Sequence, residues 1–329
     1  MTAAPPLLSI NGLRVATRRG RQVTEIVRGV NLDVDAGEKI AVVGESGSGK
    51  TLTMLSVLQL LASPPLSVVG GEVLLEGEDL LRVSGERLRA VRGGEIAMVY
   101  QDPMSSLNPL LRIGTQIVEA LRAHGVGRVM ARGRVVELFA RVGLPQPERV
   151  AASFPHELSG GMLQRVMIAM ALSAQPKVLI ADEPTTALDV TIQQQILDLV
   201  AELQAATAMA VVWVTHDLGV VARLVDRVAV MYAGRVVEQA TTRQLFAHPT
   251  HPYTQALLAS LPGPHVGHRE ALHQIPGVPP DPARHGSGCP FFERCAYSEP
   301  RCAESEPPLT ARGEESSAAC WKEPSTWRS

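Results

Sequence analysis

The feature that most constrains this chain is a glycine-rich segment between a short apolar strand and a helix. Residues 44–51 read GESGSGKT, a complete G-x-x-x-x-G-K-S/T phosphate loop. Glycines let such a backbone curl until successive N–H groups point at phosphate oxygens. The sequence therefore predicts nucleotide binding. The residues of the predicted phosphate loop are Gly44, Glu45, Ser46, Gly47, Ser48, Gly49, Lys50 and Thr51.

The residues around the loop support this interpretation. Lys50 would place a positive charge near the β- and γ-phosphates, and the Thr51 hydroxyl is a suitable ligand for Mg²⁺. Residues 39–43 (KIAVV) predict the preceding strand, and residues 51–61 predict the following helix. The N-terminus of that helix would face the anion, because the helix dipole is positive at this end.

Composition narrows the class of protein. The chain has 329 residues, of which 45% are hydrophobic, and a net charge of −2. A sizeable core is therefore expected, and a nucleic-acid partner is not. Residues 1–9 lack the pattern of a signal peptide, and the longest nearly apolar run, 166–174, is too short to cross a bilayer. We expect a soluble or peripheral protein of the cytosol.

Apolar runs alternate with helical stretches, which predicts an α/β fold. The runs lack the alternation of half-buried strands, as is typical of parallel strands buried on both faces. The predicted strands are 71–75, 96–99, 178–181 and 211–214. Residues 228–238 predict two further strands joined at Ala233-Gly234. Helical spacing between about 105 and 175 predicts a helical subdomain inserted in the α/β core.

The chain becomes rich in proline after Leu261, since eleven of its 24 prolines lie beyond this residue. We therefore predict a domain of residues 1–260 and a small extension of residues 261–329. The extension has too few apolar residues for its own core, and clustered thiols in a cytosolic chain favour a metal site that staples the segment. Four thiolates suit either Zn²⁺ or an iron–sulfur cluster. The cysteines are Cys289, Cys295, Cys302 and Cys320.

Two carboxylates follow the predicted strand 178–181. At the end of a strand beside a phosphate loop, Asp182 would hold Mg²⁺ through its water shell. Glu183 would then orient or deprotonate an attacking water. An ordinary Asp-Glu turn is the alternative, and it loses weight only because the phosphate loop accompanies the pair.

The segment LSGGMLQR (158–165) precedes a strongly helical stretch. Ser159, Gly160 and Gly161 would offer a hydroxyl and backbone N–H groups at a helix N-terminus, which makes a second anion site. A plain helix cap is the alternative interpretation of this segment.

Three more polar residues lie near the ends of predicted elements. Gln101 follows the strand that ends at Tyr100 and would reach Mg²⁺ and water. His216 follows the strand near 211–215 and would hydrogen-bond a γ-phosphate. Asp189 would contact a second subunit. The respective alternatives are a polar loop residue, a solvated histidine and a helix N-terminal carboxylate.

Taken together, these motifs resemble the ATP-binding cassette of ABC transporters over about residues 5–260. The motifs, in chain order, are GESGSGKT, Gln101, LSGGM, VLIADE, Ala187-Leu188-Asp189 and His216. The resemblance implies a head-to-tail dimer of two cassettes, with ATP between the phosphate loop of one and the LSGG segment of the other. Each of the two anion sites in one chain would then serve a different nucleotide.

The resemblance also implies roles for single residues. Glu183 would be the catalytic base, His216 would sense the γ-phosphate, and Gln101 would complete the catalytic set. The Mg²⁺ ligands would be Thr51, Gln101 and Asp182. Ser159, Gly160 and Gly161 of this chain would bind the nucleotide held by the partner. Asp189 would lie at the contact between subunits.

A narrower resemblance is to the ATPase subunits of dipeptide, oligopeptide and nickel importers, in their D-type form. It rests on YQDPMSSLNP (100–109), LSGGMLQR (158–165), HPTHPYTQALLASLP (248–262), and GCPFFERCAYSEPRC (288–302) with Cys320. It implies a second, often non-identical ATPase subunit, two membrane permeases and an extracytoplasmic solute-binding protein. The chain would be a peripheral protein on the cytoplasmic face of the plasma (inner) membrane. For the four cysteines it implies a [4Fe-4S] cluster, with Zn²⁺ as the alternative.

One departure and three rival interpretations remain. No Phe, Tyr or Trp precedes Tyr100, so Arg18 is the candidate to stack on adenine. A soluble ABC ATPase of DNA repair or translation is disfavoured. Only 109 positions separate Lys50 from Ser159, too few for the coiled coil of repair-type members, and the chain has one cassette rather than two. A nucleic-acid or redox role for the tail is the second rival, and import of nickel rather than peptides is the third.

Overall fold

The computed structural model describes residues 5–185, 189–261, 274–284 and 286–323. The strands among them are β1 Leu8–Arg19, β2 Gln22–Val34, β3 Lys39–Val43, β4 Leu66–Leu75, β5 Glu78–Asp79, β6 Ile96–Val99, β7 Val178–Asp182, β8 Ala210–Thr215, β9 Arg227–Tyr232, β10 Arg235–Thr241, β11 Thr310–Ala311 and β12 Ser316–Ala318. The helices are α1 Lys50–Val57, α2 Gly85–Gly94, α3 Pro103–Ser106, α4 Ile113–Ala123, α5 Arg128–Arg141, α6 Pro147–Ala152, α7 Gly160–Leu172, α8 Val190–Thr207, α9 Leu218–Leu224, α10 Thr242–Ala247, α11 Pro252–Ala259 and α12 Pro300–Glu304. The predicted α/β class is confirmed.

The chain divides into two compact units. Unit 1 takes its residues from 1–34, 39–81 and 214–329, and unit 2 from 35–38 and 82–213. Within the described parts of the chain, no helix combines the length and the apolar character that crossing a membrane requires.

The first sheet of unit 1 is antiparallel, with the strand order β2-β1-β4-β5. β1 and β2 form a long hairpin that sequence analysis did not predict. Register shifts between Ile10 and Leu13, and again between Val15 and Ala16, interrupt the pairing. Such bulges break the two-residue alternation by which a half-buried strand is recognised.

The second sheet of unit 1 carries the phosphate loop, and its strands run in the order β3-β9-β10-β12-β11. β3 and β9 are parallel, with Ile40 opposite Arg227. β9 and β10 are antiparallel and form the hairpin predicted at Ala233-Gly234, which is confirmed. β12, from the extension, pairs with β10. The boundary near residue 260 stays a prediction, while the extension contributes strands to this sheet.

Unit 2 combines a parallel strand pair with a group of helices. β6 and β7 pair with Ile96 opposite Val178, and all five residues of β7 are buried. From α3 to α7 every element is helical, as the spacing over 105–175 predicts. The buried face of α7 includes Leu163 and Val166, and this helix packs on β6 and α8.

A buried polar cluster in unit 1 fixes the start of α11. The Glu238 carboxylate on β10 is fully buried and accepts hydrogen bonds from the Thr250 amide at 2.6 Å, the Thr250 hydroxyl at 2.8 Å and the His251 amide at 2.9 Å. His251 Nδ1 in turn accepts from the Tyr253 amide at 3.0 Å. The Glu238 carboxylate and His251 Nδ1 therefore each have hydrogen-bond partners, as buried polar groups require.

The pKa of His251 should make stability depend on pH. Burial, opposed by a hydrogen bond with the Ala319 backbone and reinforced by the charge of Arg312, lowers the pKa of His251 to about 3. The unfolded chain binds a proton near pH 6.5 and the folded chain does not, so stability is lost as pH falls below that value. Between pH 7 and pH 5, His251 should remove about 2 kcal/mol from the free energy of unfolding.

The comparison variant is His251→Asn, because Asn can still cap α11 but does not titrate. Burial raises the pKa of Glu238, so this carboxyl group makes the folded state more stable as pH falls, the opposite of His251. Because Glu238 is present in both proteins, its effect cancels in the comparison. Urea unfolding at pH 7, 6 and 5 measures the difference. Parallel pH dependences for the two proteins would contradict the assignment.

Candidate functional site

The phosphate loop in unit 1 joins β3 to α1, as its sequence predicts. Gly44 has φ +154°, and a Cβ there would lie 2.2 Å from the Met231 carbonyl oxygen. Only glycine, which has no Cβ, fits at position 44 this close to β9. α1 begins at Lys50 and follows Gly49 in the left-handed conformation. The helix is shorter than the predicted 51–61, because it ends at Val57.

The side chains of the loop fit a phosphate group. Lys50 is buried, and its ammonium donates to the carbonyl oxygens of Gly44 at 2.7 Å and Glu45 at 3.1 Å. Ser48 is also buried, and its hydroxyl has no hydrogen-bond partner among the described residues. A buried hydroxyl without a partner is unfavourable, so an oxygen-rich ligand beside Ser48 would stabilise it.

Glu45 makes contacts in unit 1 that sequence analysis did not predict. Its amide donates to the Tyr253 hydroxyl at 2.8 Å, and its carboxylate accepts two hydrogen bonds from the Arg294 guanidinium. Tyr253 belongs to the HPTHPYT segment and Arg294 to the FFER segment of the extension. Those segments carried the narrower resemblance, but nothing in their spacing indicated contact with the phosphate loop.

The end of β7 places three predicted residues in unit 2. Asp182 is buried at the last position of the strand, and Glu183 follows with φ +46°. Gln101 Nε2 donates to the Glu183 carboxylate at 3.3 Å, so the structure brings these two residues together. A left-handed conformation is uncommon for glutamate, and such backbone strain is concentrated at functional sites.

The LSGG segment caps α7. Ser159 is exposed, and its hydroxyl accepts from the Met162 amide at 3.4 Å, while Gly160 opens the helix. A Cβ on Gly161 would lie 2.9 Å from the Ile192 side chain, so glycine allows α7 and α8 to approach closely. Within this chain Ser159 therefore acts as a helix cap, which is the alternative interpretation of this segment. Because Ser159 and Gly160 are both exposed, the N-terminus of α7 is also accessible to a ligand.

Three further predicted residues have clear local positions. Asp189 is the N-cap of α8, where its carboxylate accepts from the Ile192 amide at 2.9 Å. This is the helix-terminal alternative, and Ala187 and Leu188 lie outside the described residues. His216 is an exposed residue of unit 1 that directly follows β8. Arg18, the adenine candidate, is exposed on β1.

The prediction of a [4Fe-4S] cluster or Zn²⁺ in the extension is wrong. No group of three or more His, Cys, Asp or Glu side chains in the described ranges could hold a metal ion. The four cysteines are free thiols that line one cavity, and burial raises the pKa of Cys289 to about 12 and also the pKa of Cys295 and Cys320.

The physical reason for this error is that the extension does not need its own staple. β12 pairs with β10, and Arg28 of β2 holds the Glu306 carboxylate with two hydrogen bonds at 3.0 and 2.8 Å. Arg301 also stacks 3.7 Å from the Trp321 ring centre. Counting apolar residues within 261–329 alone overlooked the core that the rest of unit 1 supplies.

Comparisons with known proteins agree with these motifs. Residues 27–186 match the family model of the ABC transporter, and residues 237–302 match that of the oligopeptide/dipeptide transporter, C-terminal region. The chain is 49% identical over 304 residues to the oligopeptide transport ATP-binding protein OppD of Bacillus subtilis, covering 92% of this chain and 85% of that protein. It is 45% identical over 316 residues to the dipeptide transport ATP-binding protein DppD of the same organism, covering 96% and 94%.

The fold has a matching solved structure. It is the dimeric, post-hydrolysis state of the ATP-binding cassette MJ0796 bound to ADP and Pi, with a TM-score of 0.64 at 28% identity, covering 72% of this chain and 99% of that one. The sequence similarity extends over nearly the whole chain, including the extension. The chain therefore belongs to the ATP-binding proteins of the ABC transporter family, in the group with the oligopeptide/dipeptide transporter C-terminal region.

Proposed function

We propose that this protein is the ATP-hydrolysing subunit that powers peptide import through an ABC transporter. The observation that carries the proposal is the phosphate loop with a buried Lys50 and a buried, unpartnered Ser48 hydroxyl among the described residues. This loop lies in a chain that resembles oligopeptide and dipeptide transport ATP-binding proteins along almost its full length. Peptides are the proposed solute because both relatives are named for peptide transport.

ATP and Mg²⁺ are the proposed ligands. The loop amides and Lys50 would bind the phosphates, with the N-terminus of α1 adding its positive dipole. Thr51, Asp182 and Gln101 carry the oxygen donors that Mg²⁺ prefers. When bound, Mg²⁺ would neutralise charge that develops on the phosphates during hydrolysis.

Glu183 is the proposed general base. Its carboxylate accepts a hydrogen bond from Gln101 in unit 2, which limits the orientations of both side chains. A carboxylate held in this way can orient a water and take its proton as the water attacks the γ-phosphate. His216 would contribute a hydrogen bond to that phosphate.

A dimer of cassettes is the proposed active form. The exposed N-terminus of α7 would bind the nucleotide held by the phosphate loop of a second ATPase subunit, through Ser159, Gly160 and Gly161. Asp189 would lie at the contact between subunits. The partner would be a non-identical ATPase subunit, as is common for D-type subunits.

Two membrane permeases and an extracytoplasmic solute-binding protein are the remaining proposed partners. The chain would then be a peripheral protein on the cytoplasmic face of the plasma (inner) membrane. Residues 102–116 follow Gln101, and within them Met104 and Leu110 are exposed, Leu110 by 83%. This segment joins Gln101 to the helices of unit 2, so a permease helix is proposed to dock here.

Glu183→Gln should leave ATP binding intact and slow hydrolysis by about 10²-fold or more, because loss of a general base typically has this effect. The measurement is phosphate release by the assembled transporter, with ATP binding measured separately. Glu202→Gln, which removes an exposed carboxylate from α8, is the control and should be active. Normal turnover by Glu183→Gln would refute the assignment.

Ser159→Ala should lower hydrolysis about tenfold or more, through loss of a hydrogen bond to the partner's nucleotide. ATP binding at the chain's own Lys50 should not change. Ser84→Ala is the matched control, because Ser84 is also an exposed N-cap in unit 2, accepting from the Arg87 amide at 3.2 Å. If both variants lose the same activity, loss of a helix cap explains the effect. The proposal that Ser159 binds the partner's nucleotide would then be contradicted.

Cysteines placed at Ser106 or Leu110 should crosslink to a permease, and ATP should change the yield. The readout is a higher-mass band that contains both chains of the assembled complex. Glu202→Cys on the exposed face of α8 and the protein with only its four natural cysteines are the controls. Absence of any permease crosslink from both positions would contradict the docking proposal.

A further inference from the structure

Glu45, the second residue of the phosphate loop, is held from two sides within unit 1. Arg294 donates to its two carboxylate oxygens at 2.7 and 2.9 Å, and its backbone amide donates to the Tyr253 hydroxyl at 2.8 Å. Both partners come from beyond residues 27–186, the part that matches the ABC transporter model. The C-terminal region therefore contacts the nucleotide loop directly.

The Arg294 guanidinium is well fixed. Its side chain is 5% exposed, and it also donates to the Pro276 carbonyl at 2.8 Å and the Tyr232 hydroxyl at 3.2 Å. The ring of Phe291 lies 5.9 Å away. A planar guanidinium that forms two parallel hydrogen bonds with a carboxylate restrains position and orientation together, which a lysine ammonium does not.

The Tyr253 hydroxyl is equally constrained. Tyr253 is fully buried, its ring packs 4.5 Å from that of Tyr232, and its helix begins at the Glu238 cluster described above. The packing of the ring therefore holds the hydroxyl oxygen within hydrogen-bond distance of the Glu45 amide. Burial also raises the pKa of Tyr253, so the hydroxyl stays neutral.

The consequence for the nucleotide site follows from peptide geometry. The Glu45 amide and the Gly44 carbonyl belong to one planar group, so fixing the N–H fixes the direction of the C=O. That carbonyl accepts from the Lys50 ammonium at 2.7 Å. Tyr253 thus fixes the orientation of a peptide to which the phosphate-binding lysine is hydrogen-bonded, and Arg294 fixes the side chain of the residue that carries its N–H.

We infer that Arg294 and Tyr253 are positioning residues of the ATP site, so that the C-terminal region of this chain sets its affinity for ATP. The inference rests on the proposed function. The competing view is that the Arg294–Glu45 pair only attaches the extension to unit 1. Glu306 separates the two views, since it attaches the same extension through Arg28 and Arg235, the latter at 2.8 Å, and makes no described contact with the loop.

The test compares full-length variants. Arg294→Gln and Glu45→Gln should each raise the dissociation constant for Mg-ATP about tenfold, and the double variant should be no weaker than either single one, because both remove the same interaction. Arg294→Lys should fall between Arg294→Gln and the natural protein. Tyr253→Phe, which keeps the ring, should also weaken binding. Glu306→Gln is the control and should bind ATP within twofold of the natural protein.

Calorimetric titration with Mg-ATP gives the dissociation constants, thermal unfolding gives the stability of each variant, and steady-state ATPase assays of the assembled transporter separate KM from kcat. The expected result is a raised KM with kcat little changed for Arg294→Gln. Unchanged ATP affinity in Arg294→Gln and Tyr253→Phe would overturn the inference. Equal weakening by Glu306→Gln would also overturn it. Failure of the natural protein to bind ATP would refute the proposed function itself.

Discussion

The peptide group between Gly44 and Glu45 is the point on which the nucleotide site depends. Its N–H is bound by the Tyr253 hydroxyl and its C=O by the Lys50 ammonium, at 2.8 and 2.7 Å. Gly44 must be glycine, because the Met231 carbonyl leaves no space for a Cβ. The loop is thus held both by its own Lys50 and by Tyr253 and Met231 from outside the motif, and a preorganised loop binds its ligand with a smaller loss of conformational entropy.

Unit 1 supports that peptide through a layer of buried polar and aromatic groups. The carboxylate of Glu238 organises the turn before α11, and α11 carries Tyr253. The rings of Tyr232, Tyr253 and Phe291 pack against one another, with centres 4.5 to 5.4 Å apart. Aromatic packing of this kind fixes orientation as well as burying area. The extension therefore forms part of the surroundings of the phosphate loop.

Local patterns predicted the parts of this protein whose chemistry is contiguous in sequence. The phosphate loop, the buried β7 ending in Asp182 and the serine cap of α7 are each complete within a few residues. The hairpin of β1 and β2 was missed because bulges interrupt its alternation. The pairing of Arg294 with Glu45 could not be predicted, since it joins residues 249 positions apart. The metal site was wrongly predicted because composition does not show which segments pack together.

The pairing of β12 with β10 has a further consequence. Without residues 316–318, β10 would be the edge of the sheet that carries the phosphate loop, and its free N–H and C=O groups would be a template for strands of other molecules. The extension therefore covers this edge of β10 as well as contacting the phosphate loop. A chain cut at residue 260 would expose that edge, so the solubility of the ATP-binding cassette depends on its extension.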